Sequence, residues 1–77
     1  MIEEFALVAL TIDLPPYHLK AGDMGTVVDV VKGGEAFVIE FATILGKTVA
    51  VVEVSPVQIR RVEQGDIANV RQIETVS

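Results

Sequence analysis

Residues 19–28 read LKAGDMGTVV and decide the fold, because a polar loop with two glycines leads here directly into an apolar strand. Gly22 and Gly25 permit backbone angles that are closed to other residues, so the stretch predicts a sharp turn into the strand. Asp23, between them, is placed to cap the loop through bonds from its side chain to the local backbone. These three residues are therefore the predicted structural turn of the domain.

The segments on either side of this turn have the apolar–polar alternation of β-strands. Five strands are expected, at residues 5–12, 26–31, 36–41, 48–54 and 59–62, with a tight hairpin turn at residues 32–35. The residues expected to face the core include Val8, Leu10, Ile12, Phe37, Ile39 and Phe41. Ser55 and Pro56 suit the N-cap and the first position of a single helical turn before the last strand.

This arrangement predicts an all-β fold, namely a small five-stranded SH3-like barrel with one short helical turn before its last strand. Residues 1–63 are expected to form this domain, and residues 64–77 a C-terminal tail. Ile67, Val70 and Ile73 recur at every third position of the tail. That spacing is compatible with a weak helix, with an extended arm on a partner, or with disorder.

Composition limits the classes of function. The 77-residue chain is 51% hydrophobic with mean hydropathy +0.51, which is more apolar surface than a small barrel buries, so we expect a homo-oligomer, with a dimer favoured, or a protein companion. The net charge of −5 disfavours nucleic acids and anionic membranes. Cysteine is absent, and neither a targeting segment nor an apolar run of membrane length is visible, so a cytoplasmic protein is expected.

Residues 7–62 resemble a family of small bacterial domains of unknown function. Its members pair a V-A-L-x-x-D-L-P lead-in with an L-x-x-G-D-x-G-T-V-V turn, and residues 8–15 and 19–28 carry both patterns here. Similar landmarks lie at residues 37–41, 46–48 and 58–60. The resemblance implies an SH3-like, KOW-like barrel in a bacterial cytoplasm, acting as an accessory protein rather than an enzyme. Residues 16–18, PYH, depart from the more polar loop of the relatives.

No residue pattern indicates catalysis, a cofactor or a metal site, and we expect a protein that is not an enzyme. His18 is the only histidine, and no second histidine or cysteine completes a metal site with it. An exposed loop position is the simpler interpretation. Asp13 and Asp23 bracket the loop, where capping of backbone N–H groups explains them better than acid–base chemistry does.

The leading hypothesis is a non-enzymatic interaction module, for example an antitoxin-like, immunity-like or accessory companion protein, that associates through valine-rich strand faces. The interface residues expected on these faces and on the tail are Val27, Val38, Val49, Val51, Ile67, Val70 and Ile73. The competing hypothesis is a KOW-like nucleic-acid or ribonucleoprotein module that uses Lys20, Arg60 and Arg61. The acidic net charge favours the first.

Overall fold

Five strands and two short 3-10 helices follow one another in the computed structural model, which describes residues 2–73. The strands are β1 (Leu7–Leu10), β2 (Met24–Val31), β3 (Ala36–Ala42), β4 (Thr48–Val54) and β5 (Ile59–Arg61), and the 3-10 helices span Pro15–Tyr17 and Pro56–Gln58. All strand pairs are antiparallel, and the strands form one sheet in the order β4-β3-β2-β1-β5. The prediction of an all-β fold with five strands is confirmed. No helix within residues 2–73 has the length and apolarity needed to cross a membrane.

One face of the sheet carries the core. Phe37, Ile39 and Phe41 of β3 are at most 4% exposed, as their alternation predicts. The other buried residues of this core are Val8, Leu10, Leu19, Val27, Val52, Val54 and Ile59. Together they come from all five strands and from the loop after β1. The core therefore joins the two edge strands of the sheet, β4 and β5.

The first strand is shorter than predicted. Phe5 has a φ of +69°, outside the range of a strand, and β1 ends at Leu10. Beyond Leu10 the chain bends, and the Thr11 hydroxyl donates a hydrogen bond of 2.6 Å to the carbonyl oxygen of Val57. The strand alternation therefore no longer applies at Ile12, which is 43% exposed, and its predicted place in the core is wrong.

The helical turn before β5 forms as its sequence predicts. Pro56 begins the 3-10 helix, and the Gln58 N–H donates to the carbonyl oxygen of Ser55 at 3.0 Å. In return, the Ser55 N–H donates to Oε1 of Gln58 at 2.7 Å. These reciprocal bonds satisfy groups that a helix start leaves without partners.

The two glycines of the deciding stretch act for different physical reasons. Gly22 has a φ of +94°, which fits the predicted need for an unusual backbone angle. Gly25 instead lies where there is no room, because a Cβ atom there would be 2.5 Å from Cγ2 of Ile39 and 2.9 Å from the carbonyl oxygen of Glu40. The missing side chain lets β2 approach β3 closely.

We expect Gly25→Ala to lower the free energy of unfolding by about 1–3 kcal/mol, because the added methyl group overpacks the core against a fixed backbone atom. Gly65→Ala is the matched control, since a Cβ at that position meets nothing within 4 Å. Urea denaturation of both variants measures the difference. Equal stability of the two variants would contradict this account of Gly25.

Candidate interaction surfaces

The face of the sheet opposite the core mixes valines with carboxylates. The register places Asp29 beside Val38 and Val38 beside Glu53, in one row across β2, β3 and β4. The next row places Glu40 beside Val51. We call these five residues the outer face.

All the charges on these three strands are negative. The segments Met24–Val31, Ala36–Ala42 and Thr48–Val54 contain Asp29, Glu40 and Glu53 but no lysine, arginine or histidine. The Glu40 carboxylate accepts a hydrogen bond of 2.7 Å from the Thr48 hydroxyl, which holds it on this face. The outer face is therefore acidic and partly apolar.

The valine surface is smaller than the sequence predicts. Val51 is 57% exposed and Val38 is half-buried, but the prediction of an exposed Val27 is wrong, because this side chain is fully buried. In a regular strand Val27 and Asp29 would lie on the same face. The register shift between them places Val27 on the core face while Asp29 stays on the exposed face.

A second irregularity affects Val49. The register shifts between Phe41 and Ala42 of β3, so that Ala50 pairs with Phe41 while Thr48 pairs with Ala42. Val49 lies at this bulge, where it is half-buried and packs against the core. It is therefore not part of an exposed surface with Val51.

Asp23 connects the deciding turn to the tail. One carboxylate oxygen accepts the Lys20 N–H at 2.8 Å, which is the predicted loop cap. The Arg71 guanidinium binds the same carboxylate through two hydrogen bonds, of 2.9 and 2.5 Å, and donates a third, of 3.1 Å, to the carbonyl oxygen of His18. Sequence reasoning found the local cap but not Arg71, because no local pattern links residues 48 positions apart.

Two opposing effects set the pKa of Asp23. Burial of the carboxylate raises its pKa, whereas the hydrogen bonds from Arg71 and Lys20 and the charges of both lower it. The lowering effects prevail and leave the pKa below the ordinary value of 3.8. The ionised form is therefore stabilised by the tail as well as by the loop.

The described part of the tail, residues 64–73, has no regular secondary structure, so the helix considered from the sequence does not form there. The Asp66 carboxylate accepts hydrogen bonds from both terminal nitrogens of Arg60, at 2.9 and 2.8 Å, and from the Glu63 N–H at 2.6 Å. Hydrogen bonding to Arg60 is the main cause that lowers the pKa of Asp66 to about 2. These contacts hold the start of the tail close to β5.

The predicted interface residues of the tail line a groove of about 450 Å³ between the tail and the sheet. Ile67 and Val70 are 92% and 74% exposed, while Ile73 is half-buried. The apolar residues of the sheet side of the groove are Leu19, Met24, Phe41, Ala42, Ile44 and Val49. Neither Val38 nor Val51 belongs to this lining, so the described tail does not cover the outer face.

The basic residues proposed for nucleic-acid binding are engaged with acidic side chains at β5. Arg60 forms the ion pair with Asp66, and a terminal nitrogen of Arg61 lies 3.8 Å from Oε1 of Glu3. Lys20 is exposed in the loop between β1 and β2. An anionic ligand would compete with carboxylates for both arginines.

The loop side chains play structural parts. Oδ1 of Asp13 accepts the Ala21 N–H at 2.8 Å, as the capping interpretation predicts. His18 is exposed and ends the first 3-10 helix with a φ of +60°. Within residues 2–73, no group of three or more histidine, cysteine, aspartate or glutamate side chains is arranged to hold a metal ion.

These features define a small β-sheet domain with an acidic outer face and a tail anchored to its central turn. The chain belongs to the family of the domain of unknown function DUF4926, whose model matches residues 4–61. No curated protein matches the chain, and no solved structure matches it. The match ends before Arg71, so the groove and the Arg71–Asp23 ion pair extend beyond the part of the chain that the family model covers.

We expect Arg71→Gln to raise the pKa of Asp23, because the variant removes both the hydrogen bonds and the charge that oppose burial. Carboxyl-carbon NMR across an acid titration measures this pKa, with Arg61→Gln as the matched control. The Asp23 pKa is lowered on folding, so its contribution to stability is present above pH 3.8 and is lost as the pH falls through the folded-state pKa. Identical Asp23 titrations in the two variants would contradict the assignment.

Proposed function

We propose that this DUF4926 domain is a non-enzymatic interaction module that binds a basic protein partner through its outer face. The observation that carries the proposal is the strand register, which brings Asp29, Glu40 and Glu53 together around Val38 and Val51. A partner strand or helix that alternates lysine or arginine with aliphatic residues would match both chemical features. Such a companion role agrees with the acidic net charge of −5.

The alternation of charge and valine supports a protein partner in particular. Val51 offers apolar area beside Glu40, and Val38 lies between two carboxylates, so a bound partner would bury apolar side chains while its cations remain at the edge of the contact. Carboxylates would meet each other if this face paired with a second copy face to face. The arrangement therefore supports a basic partner at the outer face over self-association there.

The fold we propose for this module is an SH3-like barrel that is open between β4 and β5. The strand order β4-β3-β2-β1-β5 and the 3-10 helix before β5 support it. The register shift between Val27 and Asp29 supports it as well, because a bulge bends a strand and allows it to serve two halves of a barrel. The KOW-like nucleic-acid function receives less support, since Arg60 and Arg61 are engaged with Asp66 and Glu3.

The binding test uses the isotope-labelled full chain and a short synthetic peptide that alternates lysine with leucine. Amide chemical shifts of Asp29, Val38, Glu40, Val51 and Glu53 are expected to move on titration. The response should weaken as salt screens the charges. A peptide with glutamate in place of lysine is the matched probe, and an equal response to it would overturn the proposal.

We expect the double variant Asp29→Lys, Glu53→Lys to lose this response, because both carboxylates that flank Val38 become cations. Both residues are exposed, so the fold should be little affected. Glu4→Lys, Glu63→Lys is the matched control, with the same change of net charge at exposed positions outside the outer face. An equal loss of the peptide response in the two double variants would show a non-specific charge effect. In a separate titration, RNA binding that depends on Arg60 would favour the KOW-like alternative.

A further inference from the structure

The β4 strand has an unpaired edge. Among the residues that the structure describes, β4 pairs with β3 along one side only, and β4 ends the strand order. No backbone hydrogen bond joins Thr48–Val54 to the described tail. The strand reads TVAVVEV, with four valines and one charged residue, over seven positions. A long, β-branched edge of this kind readily accepts another strand.

The opposite end of the sheet differs in each of these respects. The edge strand β5 has only three residues, and two of them are the arginines at positions 60 and 61. The residues that follow β5 are held against it by the ion pair between Arg60 and Asp66. Edge strands are usually protected from pairing with other chains by short length and by charged side chains. β4 is seven residues long, and Glu53 is its single charged residue.

We infer that the β4 edge pairs antiparallel with the β4 edge of a second copy, which joins two five-stranded sheets into one. A two-fold axis at Val51, the middle of the strand, places Val51 opposite its own equivalent and Glu53 opposite Val49 of the second copy. The two Glu53 carboxylates are then four positions apart, about 13 Å along the strand, which is beyond the Debye length at physiological salt. Self-pairing of this edge therefore brings no like charges face to face.

Exposed apolar side chains flank β4 at both of its ends. An antiparallel pairing of the two β4 edges places the β3–β4 loop of each copy near the 3-10 helix that follows β4 in the other copy. Leu45 is 96% exposed and Val57 is 82% exposed, the first in the β3–β4 loop and the second in the 3-10 helix after β4. Two apolar side chains that are exposed in one copy therefore lie beside the proposed contact, which favours the removal of this surface from water.

This dimer does not depend on the proposed basic partner. The contact lies at the edge of the sheet, whereas the outer face remains open in each copy. Joining the two edges would place two outer faces side by side on one continuous sheet. The mass of the protein in solution tests the dimer without any peptide, so its failure and the failure of the proposed function are distinguishable.

The experiment is sedimentation equilibrium on the full chain over a dilution series, with hydrogen exchange of the β4 amides at the same concentrations. The wild type is expected to be a dimer whose β4 amides lose protection on dilution. Val51→Lys places two cations opposite each other at the axis and is expected to weaken the dimer by about tenfold or more. Mixing Val51→Lys with Val51→Glu should restore the dimer, because opposite charges then meet.

Val70→Lys is the matched control, since Val70 is an exposed valine of the tail rather than of β4. It is expected to leave the dimer unchanged. A wild-type monomer throughout the series would overturn the inference, as would a dimer that survives Val51→Lys. A dimer that Val70→Lys dissociates, with unchanged protection of the β4 amides, would place the interface at the tail groove and would also overturn it.

Discussion

The close approach of β2 and β3 at Gly25 is the constraint on which the rest of the structure depends. Cγ2 of Ile39 and the carbonyl oxygen of Glu40 occupy the space that a side chain would need. Because β2 joins the β3–β4 half of the sheet to the β1–β5 half, its position sets the alignment of both. The rows of the outer face and the place of Asp23, two residues earlier, follow from that alignment.

Asp23 extends this constraint from the sheet to the tail. Its carboxylate is bonded to the Lys20 N–H within the loop and to Arg71 at the far end of the described chain. A partly buried carboxylate is stable in its charged form only when such donors compensate for lost water. The same ion pair therefore holds the tail over the groove and satisfies a charge that the turn would otherwise leave poorly solvated.

Local rules of the sequence were sufficient for the regular parts of the fold. Alternation on β3 identified Phe37 and Phe41 as core residues, and capping chemistry identified Asp23 as a cap of its own loop, where it accepts the Lys20 N–H. Two bulges interrupt the two-residue period of the strands. As a result, Val27 is buried and Val49 is half-buried against the core, although both were expected on an exposed face. A bulge arises from the fit between neighbouring strands, which no single strand sequence specifies. The Arg71 contact was missed for a related reason, since it depends on where the folded chain returns.

β1 lies inside the sheet, between β2 and β5, and this place has a consequence for how the chain folds. This strand has only four residues and pairs with two others. One partner, β2, is the next strand in the chain, and the other, β5, is the last strand. Pairing with β2 closes a short loop, but the β5 side of β1 stays open until residues 59–61 join the sheet. Contacts of such high sequence separation are slow to form. β1 therefore keeps one apolar side open until the chain has returned to it, and until then this strand can pair with the wrong partner.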